Sequence, residues 1–241
     1  MKTEDIRYSD GALNMNGFLA YDETKSGKRA GVLVVHEAWG LGEHVMERAK
    51  MLAGLGYVAL AADMYGERRQ ITTMEEVMKV VGDLRAHPQK IRTRARAALT
   101  ALAGHPLVDA RRLGGIGFCF GGTTVLELAR DGADMAGVVS FHGGLETQAP
   151  AAVGKVKASV LVCTGADDPM IPPAQVNAFE DEMRKAGADW QLISYGSAVH
   201  SFTNAKADGS INPGILYHKP TDARSWKAMR AFFEEVFSKS T

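Results

Sequence analysis

The sequence predicts an α/β fold in which a mostly parallel sheet is covered by helices on both faces. Three observations carry this. Short apolar runs alternate with amphipathic segments of helical period along nearly the whole chain. Runs such as AGVLVVH (30–36) and SVLVCTG (159–165) are apolar almost throughout, as strands buried on both faces must be. A third run, RLGGIGF, ends at Cys119, and a helix-like segment begins at once. No repeat or linker interrupts the alternation, so residues 1–241 are expected to form a single domain.

Two antiparallel strands are expected first, near Ile6 to Ser9 and Leu13 to Tyr21, then a polar loop and a central strand from Ala30 to His36. A helix with Val45, Ala49 and Leu52 on one face ends at Gly54 or Gly56. Tyr57 to Ala61 reads as the next strand. Thr73 and Glu76 form a capping box for a helix to about Leu84, and Pro88 opens another that stops near Gly104. Beyond the Cys119 turn and its helix, strands are expected at Ala136 to Phe141, Ala158 to Thr164 and Trp190 to Tyr195. A helix from Pro172–Pro173 to Gly187 fills the gap, and Trp226, Met229, Phe233 and Val236 mark a last helix after a loop from Gly196 to Pro220.

Composition excludes several classes. Lys plus Arg equals Asp plus Glu, at 28 each, so no overall field would recruit nucleic acid or an anionic membrane. The local arginines 92, 94 and 96 read as one solvated helix face. No apolar run approaches a membrane span and the start MKTEDIRYSD lacks a signal-peptide core, so the cytoplasm is the expected compartment. Of two cysteines, Cys163 sits inside a buried-strand pattern and reads as packing. No CxxC or Cys/His cluster suggests a metal, and no cofactor is expected.

Cys119 is different. Gly117-Phe118-Cys119-Phe120-Gly121 places it on a strand-to-helix turn, a nucleophile elbow with sulfur for oxygen. Glycine is favoured two residues either side because neighbouring backbones crowd there, and Gly122 leaves room for close helix packing. The helix N-terminus beside the sulfur favours thiolate. A thiol nucleophile needs a base and a group that orients the base. The order nucleophile, acid, histidine is met by Cys119, an aspartate in GADDPMIP, and His200 in AVHSF. Asp167 and Asp168 compete for the acid, with Pro169 biasing Asp168 to an extended conformation. An oxyanion hole would come from the backbone N–H of Phe120 and one near Glu37 or Ala38. His36 and His142 read as hydrogen-bonding scaffold. Trp39, Tyr65 and Phe120 are candidates for pocket wall or core.

Three motifs together, VVHEAWGLGEH, GFCFGG and GADDPMIP with VHSF, resemble the dienelactone hydrolase family of α/β hydrolases over nearly the whole chain. The resemblance implies an α/β-hydrolase fold, an ester or lactone as substrate, the triad acid at Asp168, the base at His200, and a thiol-modulating role for Glu37. It also implies a departure. Family members that act on dienelactone hold its carboxylate with two arginines, and at one of those places stands Asn204. Arg68, Arg69 and Arg85 lack a persuasive spacing for the other. Neutral, apolar activated esters or lactones are therefore expected as substrates, with Asn204 in the pocket. Two other readings stay open: promiscuous phosphotriester hydrolysis at the same site, and a catalytically silent fold that binds small ligands. A homodimer also stays open, with no surface assigned.

Overall fold

Described over residues 1–239 in a computed structural model, the chain builds one eight-stranded sheet. Its strands are β1 (Lys2–Ser9), β2 (Asn14–Tyr21), β3 (Arg29–Val35), β4 (Val58–Ala62), β5 (Val108–Phe118), β6 (Gly137–Phe141), β7 (Ser159–Gly165) and β8 (Trp190–Tyr195). They lie in the order β1-β2-β4-β3-β5-β6-β7-β8. β1 and β2 pair antiparallel, as does β2 with β4, and all other neighbours are parallel. This is the α/β-hydrolase architecture.

Alternation along the strands fills two cores. In β3, Leu33 and Val35 face one layer, Val32 and Val34 the other. The second layer is closed by α1 (Glu43–Gly54) and α6 (Lys219–Ser238), whose Val45, Leu52, Met229 and Phe233 are buried. The first is closed by α2 (Met74–Ala86), α3 (Pro88–Ala103), α4 (Phe120–Arg130) and α5 (Pro173–Ala186). The Thr73 hydroxyl caps α2 by accepting from the Glu76 N–H at 3.3 Å. α6 begins at Lys219, with Pro220 inside its first turn, where a missing N–H costs nothing.

The arginines of α3 depart from expectation. Arg92 pairs with Glu127 of α4 at 2.7 Å and donates to the Ala149 carbonyl. Arg96 pairs with Asp131, and Arg94 donates to the Met64 carbonyl. They are struts between packed elements rather than one solvated face, because their acceptors come from segments distant in sequence.

Sheet order positions the site. From β3 the chain moves to β4 on one side, then returns to β5 on the other. The loops leaving β3 and β5 therefore diverge at the carboxyl edge, the crevice where α/β sheets bind ligands. Glu37 and Ala38 follow β3, and Cys119 follows β5.

Candidate active site

Cys119 adopts φ +52° and ψ −114°, a strained conformation for a residue with a Cβ. Its surroundings hold it there. The N–H lies 3.0 Å from the Phe141 carbonyl and 3.1 Å from Nδ1 of His142, and the carbonyl accepts from the Thr123 N–H at the start of α4. A Cβ on Gly117 would overlap the Gly121 carbonyl, and one on Gly121 would overlap the Val35 carbonyl. Only glycines let the helix approach closely enough to present the sulfur.

The structure brings His200 and Asp168 together. His200 Nδ1 lies 2.8 Å from Asp168 Oδ2, and Asp168 Oδ1 accepts the Met170 N–H at 2.8 Å. Asp168 is buried, whereas its competitor Asp167 is exposed. The other ring nitrogen, Nε2, is buried without a hydrogen-bond partner of good geometry. Burial alone would lower the pKa of this imidazole. With the sulfur ionised, the charge of Cys119 and the hydrogen bond to Asp168 outweigh it and push the ring up to about 10. His200 and Cys119 line the same cavity.

Glu37 is buried in that cavity's wall, with Asn204, Ser201 and His44 around its carboxylate. Asn204 Nδ2 donates to Oε2 at 2.6 Å, Ser201 Oγ donates to Oε1 at 3.2 Å, and His44 Nδ1 lies 3.4 Å from Oε2. Burial disfavours the charged carboxylate, but His44 and Asn204 more than compensate and hold its pKa below the ordinary value. Sequence reasoning missed His44 and Ser201. Their signal was weak: His44 sits on α1, seven residues beyond Glu37, and Ser201 simply follows His200.

The peptide joining Glu37 to Ala38 is fixed by His36. The Met64 N–H donates to His36 Nε2 at 3.2 Å, so Nδ1 carries the hydrogen and donates to the Glu37 carbonyl at 2.6 Å. In a trans peptide that turns the Ala38 N–H the opposite way. Phe120 is the first residue of α4, so its N–H has no intrahelical acceptor.

The cavity encloses about 530 Å³, the size of a small-molecule site. Trp39 lines it. Tyr65 and Phe120, candidates for the same wall, are interior: their rings pack at 5.8 Å, and the Tyr65 hydroxyl donates to the Ala38 carbonyl at 3.0 Å. Burial draws Tyr65 inward because that carbonyl satisfies its only polar group. Asn204 also departs from expectation, serving Glu37 from outside the cavity lining. Of the three arginines, Arg68 pairs with Asp5 and Arg69 with Glu76, while Arg85 reaches the cavity from α2. Among the described residues no three His, Cys, Asp or Glu side chains gather as metal ligands, and no helix is long and apolar enough to cross a membrane. Cys163 lies buried in β7, with its thiol pushed up to about 12 by burial.

A family model described as the dienelactone hydrolase family matches residues 15–237. Among solved structures, one titled m3DLH superposes with a TM-score of 0.94 at 47% identity, covering 98% of both chains. A dienelactone hydrolase-like promiscuous phosphotriesterase, P91, from metagenomic libraries superposes at 0.92 and 43% identity, again over 98% of both chains. A candidate carboxymethylenebutenolidase of Methylorubrum extorquens is 31% identical over 85% of this chain and 71% of its own length.

Proposed function

Because the chain belongs to the dienelactone hydrolase family, hydrolases of lactone and ester bonds, we propose that Cys119 is its nucleophile, His200 its base and Asp168 the group that orients the base. The observation that carries this reading is the His200 ring. One nitrogen is tied to a buried carboxylate, and the ring is also raised by its interaction with the elbow cysteine, with which it lines one cavity. No cofactor enters the scheme.

His200 Nε2 takes the thiol proton, and the thiolate attacks the carbonyl carbon. The carbonyl electrons move to oxygen, and the Phe120 and Ala38 N–H groups stabilise that oxyanion. The intermediate collapses, expelling the alcohol with the proton from His200 and leaving an acyl thioester. Water, deprotonated by His200, then releases the acid. Asp168 keeps the Nδ1 hydrogen in place throughout. Glu37 modulates the thiol: its ionised carboxylate beside the site disfavours a second negative charge on sulfur and keeps the resting thiol quiet. The preferred substrates are neutral activated esters or lactones.

A pre-steady-state assay with an aryl ester tests the scheme. Wild type should give a burst of phenol equal to the enzyme, followed by slower turnover, and Cys119→Ala should abolish both. Turnover surviving in Cys119→Ala would refute the assignment.

The likeness to P91 favours a second activity at the same site. Thiolate attack on a neutral phosphotriester would use the same base and anion hole, so Cys119→Ser should depress paraoxon and aryl-ester turnover together. The silent-fold alternative falls with the family assignment.

A further inference from the structure

Helix α2 lays one stripe of side chains along the cavity: Met74, Val77, Met78, Val81, Gly82 and Arg85 all line it, at helical spacing. From Met74 to Arg85 the stripe spans about 16 Å. Its two ends differ in chemistry. The Ile71 N–H donates to the Trp39 carbonyl at 2.9 Å, which ties Trp39 to the loop that leads into the methionine end of α2. At the other end the Arg85 guanidinium lies against Gly144, followed in sequence by the lining residues Thr147 and Gln148. Met78 is 69% exposed and Met74 39%, so two large apolar side chains of the cavity face of α2 are left uncovered. Met170 adds a third exposed thioether to the same cavity. Unbranched methionines adapt to varied apolar shapes.

We propose that Trp39, Met74 and Met78 form a subsite for an extended hydrophobic arm, so that the preferred substrates are asymmetric esters with one long alkyl or aryl arm rather than compact lactones. The inference rests on the hydrolase reading of Cys119 and names the substrate class for it. The cavity volume of about 530 Å³ exceeds what a five-membered lactone fills, and Trp39, Met74, Val77, Met78 and Val81 give its lining apolar surface to spare. Each methylene buried there should tighten binding by about fourfold at most.

A series of n-alkyl trifluoromethyl ketones tests it, because each has a single arm to place. The thiolate adds to the carbonyl carbon, the carbonyl electron pair moves to oxygen, oxygen takes the proton from His200, and nothing leaves. In wild type the inhibition constant should fall two- to fourfold per added methylene until the stripe is spanned. In Met74→Ser/Met78→Ser, or in Met78→Ser alone should the double variant fold poorly, that slope should drop by half or more. A flat series, or an unchanged slope in the variant, overturns the subsite. Failure of the hydrolase reading looks different, because aryl acetate turnover would then persist in Cys119→Ala.

Discussion

The backbone N–H of Cys119 lies 3.1 Å from His142 Nδ1, while Nε2 of the same ring lies 2.8 Å from the Thr203 hydroxyl. An N–H can only donate, so Nδ1 accepts and Nε2 carries the hydrogen. His142 thus ties the elbow to the loop that bears His200, and its ring meets His200 edge-on at 5.3 Å. In His142→Phe the ring remains and both hydrogen bonds go. Unfolding should become easier by about 1–3 kcal/mol, the usual cost of stranding buried polar partners. The kcat for an aryl ester should fall about tenfold, because nucleophile and base lose their common anchor. Loss of stability with wild-type kcat would show that His142 only packs.

The same burial sets an acid limit on stability. Burial lowers the pKa of His36 and, far more, of His142 from the ordinary 6.5. Below that pH the unfolded chain binds protons that the folded chain refuses, so stability falls as pH falls, by up to about 1.4 kcal/mol per unit for each ring. His105 acts in the same direction. The raised pKa of His200 is lost only above 6.5, as pH climbs towards about 10, and leaves the acid side flat. Urea unfolding between about pH 7 and 5.5 should show the loss, and His142→Phe should show less of it. Equal slopes in the two proteins would exclude His142 as the source.

Strand positions and elbow were legible because they rest on local signals: uniform apolar runs, a capping threonine, and glycines flanking Cys119. Asp168 was favoured over Asp167 by the proline that follows it and by family spacing, and burial now distinguishes them. What stayed hidden depends on partners far apart in sequence. Nothing around Arg92 announces Glu127, and nothing around Tyr65 announces that the Ala38 carbonyl draws its hydroxyl inward. The cavity face of α2 was hidden for another reason. Met74, Met78 and Arg85 have the spacing of an ordinary helix side, and only the adjacency of Cys119 gives that side a role.

The imidazole of His200 should respond to the sulfur. Apart from burial, which opposes it, the largest influence on His200 is the charge of Cys119, ahead of the Asp168 hydrogen bond. Cys119→Ala removes the charge and keeps the carboxylate. Its imidazole should therefore titrate well below about 10, as followed by NMR of the ring protons. An unaltered value would assign the whole upward shift to Asp168.

Glu37 gives the opposite push. Its carboxylate stays ionised because His44 and Asn204 offset its burial, so it sets a fixed negative charge on the wall of the cavity that holds the thiol. Glu37→Gln deletes the charge and keeps one oxygen to accept from Asn204, while its NH2 faces the Ser201 hydroxyl, which can turn to accept. Alkylation of Cys119 by iodoacetamide near pH 6 should accelerate by about two- to tenfold, because a nearby negative charge no longer opposes the thiolate. Inactivation by hydrogen peroxide should quicken with it. A slower reaction would mean that Glu37 assists thiolate formation instead.

Arg85 bears on the charge of the substrate. Among the described residues it is the one arginine or lysine of the cavity lining, yet it sits exposed on α2, and where a second arginine would stand Asn204 is spent on Glu37. An exposed, singly held ion pair contributes about 0–1 kcal/mol, far less than a desolvated two-arginine clamp. Neutral aryl esters should therefore be hydrolysed faster than anionic dienelactone. Arg85→Ala should cost a carboxylate-bearing ester no more than about fivefold in kcat/KM and leave the ranking of the two substrates as it was. If dienelactone proves the better substrate and Arg85→Ala removes that advantage, the rim arginine is a true carboxylate anchor and the neutral preference is wrong.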